Sequence, residues 1–89
     1  MSNVSITLQN VGDGRAIADA ILEDNKEARL QEMPACVKID CPHRMVINRQ
    51  SVSDRIGRDW DVQEIHLSLI SLSGNVDEDD DYFALEWKR

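Results

Sequence analysis

Cys36, Cys41 and His43 are the one cluster in the sequence with a metal-like composition. Tetrahedral zinc needs about four converging ligands. Cys36 and Cys41 lie an odd number of residues apart in what should be one extended strand, so their side chains point to opposite faces. His66 is remote and there is no third cysteine, so free thiols, buried or half-buried, are expected instead of a metal centre. The run Asp77-Glu78-Asp79-Asp80-Asp81 invites a calcium reading, because Asp77, Asp79 and Asp81 alternate. An EF-hand loop starting at Asp77 would place Gly at its sixth position and Glu at its twelfth, where Tyr82 and Lys88 stand. A solvated hairpin loop or a recognition surface for a basic partner remains.

No serine, cysteine or histidine is placed by sequence in a nucleophile–base arrangement, although spatial triads need not be local. Gly12 and Gly14 form neither a Gly-x-Gly-x-x-Gly motif nor a Gly-rich loop ending in Lys-Ser/Thr. An enzyme active in isolation is therefore disfavoured. Trp60 and Trp87 suit either core packing or interface anchoring.

These residues must be held by the elements that apolar periodicity marks out. Val4-Ser5-Ile6-Thr7-Leu8-Gln9 alternates apolar and polar residues and predicts a strand with one buried face. Asn10-Val11-Gly12-Asp13-Gly14 breaks that pattern, with Asp13 the expected cap of a helix whose stripe is Ile17, Ala20 and Ile21, turning polar at Asp24 and stopping near Asn25. Residues 28–33 are an edge-strand candidate, and Val37, Ile39 and Cys41 alternate with Lys38 and Asp40 in the next strand. Met45, Ile47 and Arg49 alternate with Val46 and Asn48 after Pro42-His43-Arg44, a stretch that suits a hairpin connection.

Ser51 and Asp54 offer a capping box for a short helix containing Val52 and Ile56 and ending at Gly57. Trp60 and Val62 should cover one end of the core. Ile65, Leu67 and Leu69 read as one strand face opposite His66 and Ser68, and the switch of apolar phase at Ile70 and Leu72 implies a bulge or a strand buried on both faces. Ser73-Gly74-Asn75 punctuates the chain, Val76 precedes the acidic run, and Phe83, Leu85 and Trp87 alternate with Tyr82, Ala84 and Glu86. The element order predicts an α+β fold of two consecutive β-α-β-like halves with a mainly antiparallel sheet, in which Ile17 and Ile21 pack against Ile65, Leu67, Phe83 and Leu85.

Eighty-nine residues suit one domain, 1–89, and 42% hydrophobic with 30% charged residues suits a soluble fold with a modest core. The formal charge of -7 opposes nonspecific nucleic-acid binding. Residues 51–89 hold 10 of the 17 acidic residues, so the excess can steer a basic partner or serve solubility. No apolar run approaches the roughly 18–20 residues of a membrane span, and the N-terminus lacks the basic and apolar segments of a signal peptide, so a cytoplasmic location is expected.

Trp60-Asp61-Val62-Gln63-Glu64-Ile65, followed by Leu69-Ile70-Ser71-Leu72-Ser73-Gly74-Asn75-Val76-Asp77-Glu78, resembles the regulatory proteins of bacterial multicomponent phenol hydroxylases. These sit within the wider family of effector, or coupling, proteins of methane, toluene and phenol monooxygenases. Ile6-Thr7-Leu8-Gln9-Asn10, the helix around residues 15–25, the strand around residues 37–42, and Ser51-Val52 leading into Ile56-Gly57-Arg58 extend the resemblance over nearly the whole chain. It implies a bacterial protein with no cofactor of its own, docked on the active-site subunit of a diiron hydroxylase and coupling oxygen activation to the hydroxylation of phenols to catechols. The iron would belong to the hydroxylase. FAD and an iron–sulfur cluster would belong to an NADH-dependent reductase, with no nucleic acid or membrane involved.

The first strand begins almost at once, so the long N-terminal extension of methane-system relatives is not expected, which favours the phenol branch. Within residues 71–78, Ser73, Gly74, Asn75 and Glu78 are the candidate partner-binding residues, because a Ser/Gly/Asn break beside an apolar strand meets a negative run there. The same loop could merely shape and solubilise the chain. An acidic adaptor or nucleic-acid mimic unrelated to oxygenases is the alternative that charge alone permits.

Overall fold

The computed structural model describes residues 3–87. In chain order the elements are β1 (Asn3–Gln9), α1 (Gly14–Asp24), β2 (Arg29–Glu32), β3 (Cys36–Pro42), β4 (Arg44–Asn48), α2 (Arg49–Ile56), a 3-10 turn (Val62–Glu64), α3 (Ile65–Ser68), β5 (Leu69–Ser73), β6 (Asn75–Glu78) and β7 (Tyr82–Glu86). Three strands with clean two-residue alternation bury one face as expected: Val4, Ile6 and Leu8 on β1, Val37, Ile39 and Cys41 on β3, Met45 and Ile47 on β4; β7, expected to do the same, buries Ala84 along with Phe83 and Leu85.

The α+β class holds and every strand pair is antiparallel, but the strands divide into two sheets, ordered β2-β3-β1-β5 and β4-β7-β6. The two halves are interleaved, because β5 from the second half pairs with β1 of the first. Pro42-His43-Arg44 is consequently not a hairpin: β3 and β4 lie in different sheets, and His43, with a left-handed φ of 66°, turns the chain from one to the other. The apolar faces of both sheets and the stripe of α1 (Ile17, Ala18, Ala20, Ile21) meet in one core, closed by Val52, Trp60, Val62 and Ile65.

Asn25 ends α1 and fastens it to the second sheet. Its amide nitrogen donates to the carbonyls of Ile21 and Val46 (2.9 and 2.8 Å), and its amide oxygen accepts from the Val46 N–H (3.0 Å). Two caps read from the sequence are different. Asp13 makes no side-chain cap to α1, and its carboxylate instead accepts from Arg58 at 2.6 Å. Ser51 lies inside α2, which starts after Asn48 with no side-chain cap; the capping box of the chain is Asp61 with Glu64, at the start of the 3-10 turn. Gly57 closes α2 as expected, in the left-handed conformation.

The segment read as one strand face, Ile65-Leu67-Leu69, is helical up to Ser68. Helical turns put Ile65 and Ser68 inward, and Leu67 is 77% exposed, so it is not part of a sheet and does not pack with Ile17 and Ile21. Removing Leu67 to Ala is accordingly expected to change stability by no more than about 0.5 kcal/mol, whereas Ile21→Ala, at a fully buried position, should cost about 2–4 kcal/mol. Chemical denaturation of the two variants checks the contrast.

Candidate functional site

Of the candidate residues, Ser73, Gly74 and Asn75 stand at the joint between the two sheets and Glu78 lies at the far end of β6. β5 is the outer strand of the first sheet and β6 the outer strand of the second, and Gly74 alone joins them. Gly74 has φ 136°, and a Cβ there would sit 3.0 Å from Val4 Cγ1 and 3.4 Å from Leu85 Cβ, so both backbone conformation and packing demand glycine. Ser73 pairs across from Ser5 of β1, Asn75 across from Glu86 and Glu78 across from Phe83 of β7. Ser73, Asn75 and Glu78 are exposed.

Glu78 brings the end of β6 back to α3. Its carboxylate lies 3.5 Å from His66 Nε2 on α3, an ion pair when His66 is protonated, and the His66 ring meets Phe83 edge-on at 6.2 Å between centroids. Residues 66–78 thus form a closed loop of α3, β5 and β6 with Gly74 at its apex. The phase switch expected at Ile70 is a bulge: Thr7 pairs with Ser71 and Leu8 with Leu69, which leaves Ile70 unpaired and 52% exposed.

The support beneath the loop is polar and tightly bonded. Asp61 accepts from the Gln63 N–H while Glu64 accepts from the Asp61 N–H, both at 2.9 Å. Arg58 grips Glu64 with two nitrogens (3.0 and 3.2 Å) and reaches Asp13 before α1. The side-chain bond from Arg58, followed by the backbone bond from Asp61, holds the Glu64 carboxyl below its usual range. Trp60 is fully buried, its N–H donating to Ser53 Oγ and its carbonyl accepting from Arg49 Nε, while its indole N–H finds no acceptor among the described residues.

The acidic run divides between β6 and a tight turn. Asp77 accepts from the Tyr82 hydroxyl at 3.2 Å, and that bond, with the Asp77 charge, raises the Tyr82 pKa. The Asp79 N–H donates to the Tyr82 carbonyl, closing the β6–β7 hairpin, and the Arg49 N–H donates to the Asp81 carbonyl, tying the turn to α2. Between this turn and the 3-10 turn lies a cleft of about 420 Å3 lined by Asp61, Val62, Gln63, Glu78, Asp79 and Asp80.

The chemistry-bearing residues are not gathered. Cys41 is buried and its thiol donates to the Arg44 carbonyl at 3.2 Å; burial first, and the Glu27 charge second, push its pKa up. Cys36 faces the other way from the same strand, 3.6 Å from the Met33 sulfur. Among the described residues no three His, Cys, Asp or Glu side chains converge on a metal position, and no helix is long and apolar enough to cross a membrane. Of the tryptophans, Trp60 packs the core, whereas Trp87 is 45% exposed and its indole N–H donates to the Asn3 carbonyl.

Residues 2–86 match the MmoB/DmpM family along almost the whole chain. The chain belongs to that family. It is 45% identical to the phenol 2-monooxygenase stimulatory component DmpM of Pseudomonas sp. (strain CF600), over 98% of this chain and 97% of the relative. A chain in a solved phenol hydroxylase–regulatory protein complex superposes with a TM-score of 0.92 at 48% identity, covering 98% of this chain and all of the other. A second such complex gives 0.89 at 45% identity, over 97% of this chain and all of the other. The soluble methane monooxygenase regulatory protein B shares the fold at 13% identity and a TM-score of 0.76, with 97% of this chain covering 65% of that longer one.

Family membership fits the resemblance carried by residues 60–65 and 69–78, which the structure places on the 3-10 turn, the closed loop and the strand joint. Sequence reasoning missed Leu67 and Ile70 as surface residues there. The Asp61-x-x-Glu64 capping box, with Val62, Ile65 and Leu69 at helical spacing, was the signal that could have found Leu67, and the change of apolar phase at Ile70 the signal for the bulge.

Proposed function

We propose that this protein is the regulatory component of a bacterial multicomponent phenol hydroxylase, acting by binding the diiron hydroxylase and raising the fraction of oxygen and NADH that ends in hydroxylation of phenols to catechols. The observation that carries this reading is near-complete coverage, at 45% identity, of a relative named a phenol monooxygenase stimulatory component. Regulatory chains of phenol hydroxylase complexes with TM-scores of 0.92 and 0.89 support it further. Residues 1–89 work as one effector domain in the cytoplasm. The diiron site belongs to the hydroxylase, and FAD and an iron–sulfur cluster to the reductase that delivers electrons from NADH. Docking is chiefly on the hydroxylase's active-site subunit.

Its contribution is conformational. A protein without redox groups changes a partner's reaction when it binds one conformation of the partner better than another, shifting their populations by that difference in affinity. Ser73, Gly74, Asn75 and Glu78 are the contact residues of this reading, with Ser73, Asn75 and Glu78 exposed on β5 and β6 and Gly74 half-buried between them against Val4 and Leu85. Joint substitution of Asn75 and Glu78 by alanine is expected to weaken hydroxylase binding about tenfold or more, equivalent to about 1.4 kcal/mol, and to lower coupled turnover at limiting protein. Unchanged affinity and turnover in a folded double variant would remove them from the interface.

A further inference from the structure

Five large apolar side chains are markedly exposed among the described residues: Val11, Leu67, Ile70, Val76 and Trp87. Three of the five lie between positions 67 and 76. They stand on three successive elements, α3, β5 and β6, of one short stretch, and several exposed apolar side chains on one such stretch mark a contact surface more than scattered exposure does. None of the three is exposed by slack packing. Leu67 sits in a four-residue helix whose Ile65 and Ser68 are buried, Ile70 is pushed out by the bulge against β1, and Val76 is paired with the buried Leu85 on β7. The His66–Glu78 contact holds the ends of this stretch together. Apolar groups presented on a backbone already fixed lose little entropy on binding, which favours affinity.

Charge beside them indicates what they meet. The cleft next to Glu78 carries Asp61, Asp79 and Asp80, and no lysine or arginine among the described residues pairs with these three carboxylates. Asp77 on β6 and Asp81 in the turn after it are exposed as well. A stretch that presents exposed apolar side chains and ends beside an acidic cleft complements a surface that carries both apolar and basic side chains.

We propose that Leu67, Ile70 and Val76 are the apolar anchors of the docking face, seated in an apolar depression of the hydroxylase whose rim carries lysine and arginine side chains. This rests on the reading of the chain as a hydroxylase regulatory component. It assigns the two halves of the face different duties: the apolar anchors set how slowly the complex dissociates, and the acidic border sets how fast it forms.

The test is binding kinetics of the full chain on purified hydroxylase at two ionic strengths. The single variants Leu67→Ser and Ile70→Ser should each dissociate roughly tenfold faster, and Leu67→Ser/Ile70→Ser/Val76→Ser at least a hundredfold faster, with little change in salt dependence. Asp79→Asn/Asp80→Asn/Asp81→Asn should slow association and flatten its salt dependence while leaving dissociation close to wild type. Val11→Ser, exposed to a similar degree outside this stretch, should match wild type. A cooperative chemical-denaturation transition reports that each variant is folded. If wild type binds and both folded single variants dissociate at the wild-type rate, the apolar anchors are refuted while the functional reading stands. If neutralising the acidic turn leaves association and its salt dependence untouched, the basic rim is refuted. Wild type that neither binds nor stimulates the hydroxylase would overturn the functional reading and the anchors with it.

Discussion

Gly14→Ala is expected to cost more than about 3 kcal/mol, a large share of the stability of an 89-residue fold. Gly14 is the first residue of α1, five positions after the end of β1, and a Cβ built there collides with the Gln9 carbonyl oxygen. The obstacle is backbone, so no rotamer change relieves it. Either the end of β1 or the start of α1 has to move. Both are fixed: Leu8 is buried beside Gln9, Ile17 and Ile21 hold the helix in the core, and Asn25 bolts its far end to Val46. Chemical denaturation should show a lowered midpoint with an unchanged slope, because the folded and unfolded surfaces remain nearly the same. A loss below about 1 kcal/mol would mean that the strand–helix junction can open, contrary to the packing described here.

Much of this fold was legible because two-residue alternation states which side chains are buried. Residues 4–9, 37–41 and 45–48 carried that signal, residues 82–87 gave the strand but not the burial of Ala84 or the exposure of Trp87, and the helical spacing of Ile17, Ala20 and Ile21 gave α1. Alternation does not state which sheet a strand joins, so the division into two sheets, and the crossing at His43, had no mark in the sequence. The stretch from Val62 to Leu69 carried two signals at once. Ile65, Leu67 and Leu69 alternate, yet Val62, Ile65 and Leu69 also fall at helical spacing, and a short apolar run cannot separate the two. The Asp61–Glu64 capping box tips the balance to helix.

Legibility of the candidate site follows the same line. The Ser-Gly-Asn break and the acidic run were visible as punctuation, and the structure places them at the strand joint and the β6–β7 turn. Leu67 and Ile70 were hidden because, once read as strand, their apolar side chains belonged in the core. Exposure depends on a four-residue helix and a bulge, and the local signals for both, the Asp61–Glu64 capping box and the change of apolar phase at Ile70, compete with the alternation of Ile65, Leu67 and Leu69.

The largest functional effect is expected in the reconstituted reaction. Diiron oxidation needs electrons, oxygen and substrate to meet in order, and an encounter out of order releases reduced oxygen in place of product. A binding protein that favours the productive conformation of the hydroxylase raises product per NADH without touching phenol itself. The most direct measurement is a titration of this protein into matched hydroxylase and reductase, following catechol, NADH consumption and hydrogen peroxide together. Catechol formed per NADH should rise and saturate as the complex forms, hydrogen peroxide should fall in step, and the protein alone should leave phenol unchanged. The same rate and the same coupling with and without a folded, hydroxylase-bound sample would contradict the assignment, even with every element of the fold in place.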